Sequence, residues 1–146
     1  MATYQSFCKG LPRMVGASLG DAAPPHSSAT GWMVKLWFGN KDLHYECGIY
    51  ARRKVIELGL HFESDAFTNQ LLLGALRGRA KTITRRLPDA RIESWDKGWA
   101  RIWESIPLQT FDEPFSTDVV ATLATYVRVL EPMLEDSLPA DVHWSR

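Results

Sequence analysis

His44-Tyr-Glu-Cys-Gly-Ile-Tyr-Ala-Arg-Arg-Lys-Val-Ile-Glu-Leu-Gly-Leu-His-Phe-Glu63 reads as two alternating strands around a short basic turn. Side chains alternate across a strand with period two. With Arg52-Arg53 as a two-residue turn, Ala51 opposes Lys54, Ile49 opposes Ile56, Cys47 opposes Leu58 and Tyr45 opposes Leu60. These apolar pairs form one face. The other face pairs Tyr50 with Val55, Gly48 with Glu57, Glu46 with Gly59 and His44 with His61. A slip of one residue would scramble both faces. Arg-Arg is a poor type I′ turn, and a longer turn of even length keeps the same pairs.

Working outward, Trp32 to Phe38 reads as an earlier strand, followed by the turn cluster Gly39-Asn40-Lys41-Asp42. After the hairpin, Ser64 or Asp65 caps a helix whose core stripe is Leu72, Leu76, Ala80, Ile83 and Leu87. Arg77, Lys81 and Arg85 lie on its solvated side. Ile92 to Trp95 and Trp99 to Ile106 read as a second hairpin, with Asp96-Lys97-Gly98 as a three-residue turn. A last helix runs from about Ser116 to Asp136 on the stripe Val120, Leu123, Val127, Leu130 and Leu134, with Pro132 set to kink or fray its end. The order βββ-α-ββ-α predicts an α+β fold: a five-stranded, largely antiparallel sheet with two helices packed on one face. Residues 32–137 are then a single domain. Residues 1–31 read as a flexible leader, because Gly10, Pro12 and Gly16 interrupt any helix and Asp21 to Gly31 is rich in Pro, Ser and Ala. Residues 138–146 are an uncommitted C-terminal tail.

The chain has 146 residues, enough for one domain, and its six Trp and 45% apolar content suffice for a packed core. Seventeen basic residues balance seventeen acidic ones. That balance argues against a general nucleic-acid or anionic-membrane binder. Cys8 and Cys47 form neither a disulfide framework nor a zinc ligand set, and a reducing cytoplasm is the natural setting. No apolar run approaches the roughly 20 residues that span a bilayer.

If the helices cover the apolar side of the sheet, the other side shows Lys35, Trp37, His44, Glu46, Tyr50, Glu57, His61, Glu63, Trp99, Arg101 and Trp103. Large exposed aromatic patches mark interfaces, so Trp37, Tyr50, Trp99, Arg101 and Trp103 are the expected partner-binding residues. Gly48 and Gly59 leave room there for a large neighbour. On the same surface His44, His61, Glu46 and Glu57 are a legitimate divalent-metal set, although a wet sheet face also tolerates alternating His and Glu. No Gly-rich phosphate loop, Ser-His-Asp set or Cys nucleophile signature appears, so no catalytic residue is assigned.

From about His44 to Glu135, the pieces Ile56-Glu57-Leu58, the long helix, Ile92-Glu93-Ser94-Trp95, Arg101-Ile102 and the closing helix resemble a small bacterial domain of unknown function. That domain is found at the C-terminus of some nuclease-like proteins, and the resemblance implies no catalytic residue. The element order also looks like that of type III secretion chaperones, dimeric binding proteins that begin with a helix; only the leader would supply one here. Asp42 with Glu57-Leu-Gly59 is similar to the acidic strands of restriction-endonuclease-like nucleases, but Gly59 stands where that pattern wants Lys. The preferred reading is a small cytoplasmic binding or adaptor domain, without a cofactor, whose Trp-rich sheet face holds a protein partner or a second copy in a homodimer. A metal-dependent enzyme centred on His44, His61, Glu46 and Glu57 is the alternative, and an accessory domain of a nucleic-acid-processing system comes third.

Overall fold

The computed structural model describes residues 4–21 and 24–138. In chain order the elements are α1 (Tyr4–Leu19), β1 (His26–Ala29), β2 (Met33–Trp37), β3 (Leu43–Tyr50), β4 (Val55–Phe62), α2 (Ala66–Arg77), α3 (Ala80–Arg86), β5 (Arg91–Ser94), β6 (Ala100–Pro107) and α4 (Glu113–Ser137), with one 3-10 turn at Asp96–Gly98. The fold is α+β. Its six strands form one open sheet in the order β1-β2-β3-β4-β6-β5, and every neighbouring pair is antiparallel. Helices α1, α2 and α3 pack on α4, which lies against β4. Val34, Leu36, Cys47, Ile49, Leu58, Leu60 and Ile102 of the sheet share one core with Leu11, Leu72, Leu76, Ile83, Leu123 and Leu130 of the helices. Two polar pairs cross this interface: the Tyr45 hydroxyl donates to Glu131 at 2.7 Å, and the Tyr126 hydroxyl donates to Glu104 at 2.8 Å.

The central hairpin keeps the predicted register. His44 opposes His61, Tyr45 opposes Leu60, Glu46 opposes Gly59, Cys47 opposes Leu58 and Ile49 opposes Ile56. The turn is longer than two residues: the ladder closes at Tyr50 and Val55, and the Lys54 N–H donates back to the Ala51 carbonyl at 3.2 Å. A two-residue type I′ turn would hold both arginines at positive φ. The four-residue turn holds only Lys54 there, at φ 55°.

Three expectations are corrected. The residues read as a flexible leader carry α1 and β1, and Phe7, Cys8, Leu11 and Val15 of α1 are buried in the core. An interior proline such as Pro12 costs about 3 kcal/mol. Burying each of Phe7, Leu11 and Val15 is worth about 1.5–3 kcal/mol, so packing wins over local propensity. Strand β1 makes the sheet six-stranded rather than five-stranded. Its His-Ser-Ser-Ala sequence is exposed throughout, so its pairing with β2 from His26↔Trp37 to Ala29↔Val34 rests on backbone bonds that leave no hydrophobic alternation in the sequence. Four helices, not two, form the helical layer: α1 adds one, and Gly78, which caps α2, splits the expected long helix into α2 and α3.

The predicted cap of α2 is present. Asp65 accepts the Thr68 N–H at 2.8 Å, and buried Asn69 spends its amide on both Ser64 and the Gly98 carbonyl, fixing α2 to the 3-10 turn. Helix α4 starts at an Asp112 cap and continues through Pro132 to Ser137. Residues 139–146 of the expected tail lie outside the described residues. No helix among the described residues is long and apolar enough to cross a membrane.

Candidate functional site

The sheet surface opposite the core-facing side chains is laid out in rows by the pairing. Lys35, Glu46, Gly59, Trp103 and Arg91 form one row, and His44, His61, Arg101 and Glu93 form the next. Gly59 is required where it stands: a Cβ there would come within 2.2 Å of the Ile102 carbonyl oxygen and 2.5 Å of the Trp103 Cα. The large neighbour it makes room for is therefore Trp103.

Beside this glycine four side chains converge. Strand β3 supplies His44 and Glu46; strand β4 supplies His61; Glu63 follows directly, its N–H donating to the Asp42 carbonyl at 2.8 Å and prolonging the hairpin. His44 Nε2 lies 2.7 Å from Glu46 Oε2 and 3.7 Å from Glu63 Oε2. His61 Nδ1 lies 3.5 Å from each of the same two oxygens. Imidazole and carboxylate thus alternate around a closed ring. One donor atom each from His44, Glu46 and Glu63 all fall within 4.8 Å of one another. The imidazole rings are parallel to within 5°, with centroids 5.9 Å apart.

The site is drier than an open sheet face should be. His44, Glu46 and His61 are all buried, and the edge of His61 meets Trp95 at 5.2 Å. Burial alone would raise the Glu46 carboxyl. The hydrogen bond from His44 and the charges of His61, His44 and Lys35 outweigh it and hold the group at about 2. His44 Nδ1 sits 2.9 Å from the Lys41 carbonyl. A carbonyl only accepts, so Nδ1 donates there, and Nε2 is the nitrogen that faces the carboxylates, donating to Glu46 when no metal is bound. Nδ1 of His61 is buried with no hydrogen-bond partner.

Glu57, the fourth residue of the expected metal set, stands apart. It pairs with Arg53 at 2.9 Å and faces Arg101 at 3.9 Å. The register explains the exchange. Gly59 and Glu63 are the β4-side residues diagonal to His44, and Gly59 has no side chain, whereas Glu57 opposes Gly48. The readable signal was a repeated His-aromatic-Glu triplet, His44-Tyr45-Glu46 and His61-Phe62-Glu63, which an antiparallel His–His register folds into one cluster.

The expected partner-binding residues occupy the neighbouring rows, each aromatic beneath a cation. Arg101 lies 4.2 Å from the Trp95 ring centre and 3.8 Å from that of Trp103. Glu93 accepts from Arg101 Nε at 3.0 Å and from Trp103 Nε1 at 2.7 Å. Lys41 covers Trp37, Arg53 covers Tyr50 and Lys97 covers Trp99. Trp103 is only 7% exposed, which corrects its reading as a free aromatic anchor: Gly59 lets its backbone approach, and Arg91 and Arg101 cover its ring. Between the His–Glu cluster and this stack lies a cavity of about 20 Å³, lined by Glu46, His61, Tyr50, Glu57 and Arg101 among others. No family model and no curated protein matches this chain.

Proposed function

We propose that this chain is a divalent-metal-binding protein whose ligands are His44, Glu46 and Glu63, with His61 completing the set. The observation that carries this reading is the alternating ring of two imidazole nitrogens and two carboxylate oxygens, buried at His44, Glu46 and His61 and part-buried at Glu63. Gathering three buried titratable groups and a fourth part-buried one is costly unless each is paired, and His61 Nδ1 lacks a hydrogen bond. One cation satisfies the grouped donors of His44, Glu46 and Glu63 at once, with His61 Nδ1 3.5 Å from both carboxylates. The His44 Nδ1–carbonyl bond is the outer contact that fixes a ligating imidazole in the correct tautomer. Two nitrogens and two oxygens without sulfur suit zinc, iron(II), cobalt or manganese rather than the all-oxygen sites of calcium and magnesium. Metal-dependent chemistry at this position is the enzymatic form of the proposal.

Isothermal titration of chelator-treated full chain with Zn²⁺ tests it. We expect one ion per chain, with Glu63→Gln and His44→Ala weakening binding by at least about tenfold, the usual weight of a metal contact, and Glu57→Gln leaving it unchanged. No heat of binding, or equal losses from Glu57→Gln and Glu63→Gln, refutes the assignment. A second reading, a protein partner or a second copy docked on the aromatic rows, is favoured by the exposure of Trp32 and Trp95, 49% and 39%. Sedimentation of wild type against Trp32→Ser/Trp95→Ser decides that one. A cytoplasmic setting goes with both, since Cys8 and Cys47 are free and buried.

A further inference from the structure

All four donors rise from one side of the sheet, within β3, β4 and the residue that follows. Among the described residues, no His, Cys, Asp or Glu from another element joins the group. An ion resting on them is therefore held from one hemisphere. The side turned towards β6 meets the cavity instead, whose lining includes two of the donors, Glu46 and His61. Its volume of about 20 Å³ exceeds the roughly 10–15 Å³ that one water needs. A water requires two to four polar partners, and the lining offers polar side chains at Glu46, His61, Tyr50, Glu57 and Arg101. Four protein donors complete a tetrahedral structural zinc site, so a position for water or substrate here requires the ion to expand to five coordination, as zinc does in reactive sites.

Resting on the metal reading, we infer that the bound ion keeps one exchangeable coordination position, opening into this cavity, and that a small anion enters it beside Arg101. The Arg101 guanidinium is stacked between Trp95 and Trp103 and fixed through Nε by Glu93. Its Nη1 lies 3.9 Å from Glu57, longer than a hydrogen bond, so N–H donors remain for an incoming anion. Gly48 leaves the lining side chains Tyr50 and Met33 their place: a Cβ there would come within 2.9 Å of the Tyr50 ring and 3.0 Å of the Met33 methyl. The exchange is a simple ligand replacement. Water leaves with its lone pair, the anion donates its own, and no electron is transferred.

The experiment is an azide titration of the Co²⁺-loaded full chain, followed by the visible absorption of cobalt. The expected result is a saturable spectral change in wild type, with azide affinity at least about tenfold weaker in Arg101→Met, as loss of a charge-assisted hydrogen bond requires, and largely kept in Arg101→Lys. A cobalt spectrum that azide leaves unaltered overturns the open position while leaving the metal reading intact. Unchanged azide affinity in a cobalt-loaded Arg101→Met overturns the part given to Arg101. If Arg101→Met does not fold, the wild-type titration alone decides the open position, and Arg101→Gln, with the same loss expected, decides the part given to Arg101. A chain that takes up no cobalt overturns both readings together.

Discussion

The two faces of the β3–β4 hairpin are almost equally buried and are buried for opposite reasons. On one face Tyr45, Cys47, Ile49, Ile56, Leu58 and Leu60 lie under the helices, where each apolar side chain removed from water stabilises the fold. On the other, His44, Glu46 and His61 are shielded by one another and by the Trp–Arg stack. There burial costs free energy, and only mutual pairing offsets it. Dry apolar packing on the first face explains folding. Dry charge on the second needs a further reason, which the metal reading supplies.

The contrast predicts different responses to substitution. The largest effect belongs to the apolar face: Cys47→Asp places an unpaired charge in the core and should destabilise by about 3–5 kcal/mol in chemical melts. Wild-type-like stability would mean that the faces are inverted. On the polar face, the Glu46 carboxyl is held at about 2 against an ordinary 4.5. Because the folded value is lower, the stabilisation is present above pH 4.5 and lost as pH falls from there towards 2. Urea melts of the metal-free protein should lose of order 3 kcal/mol across that window, and Glu46→Gln should remove this dependence. An equal pH slope in the variant breaks the account of the ring. The smallest effect is at the edge of the same face: Arg53, at 58% side-chain exposure beside Glu57, should tolerate Ala at a cost below about 0.5 kcal/mol.

The register of this hairpin was legible because alternation and antiparallel pairing specify each other. Both faces followed from Ile49, Cys47 and Tyr45 opposing Ile56, Leu58 and Leu60. The cap at Asp65 and the turn at Asp96–Gly98 were legible from local chemistry. Helix α1 was hidden because Pro12 and the glycines speak against a helix locally, while Phe7, Leu11 and Val15 speak for it only once α4 and β2 are there to receive them. Strand β1 was hidden because an exposed edge strand needs no apolar period. At the site, His44, Glu46 and His61 were legible. Glu63 was displaced by Glu57, because the choice turns on which carboxylate is diagonal to His44. The aromatic patch misled for a different reason: composition shows tryptophans but not the lysines and arginines that register and loops lay across them.

The most direct test of the central claim is X-ray absorption fine structure of the Zn²⁺-loaded chain. The cluster predicts nitrogen and oxygen neighbours only, at about 2.0–2.2 Å, with the outer-shell pattern of two imidazoles. A sulfur neighbour at about 2.3 Å, which would bring in Cys8 or Cys47, or a spectrum without imidazole, would contradict it.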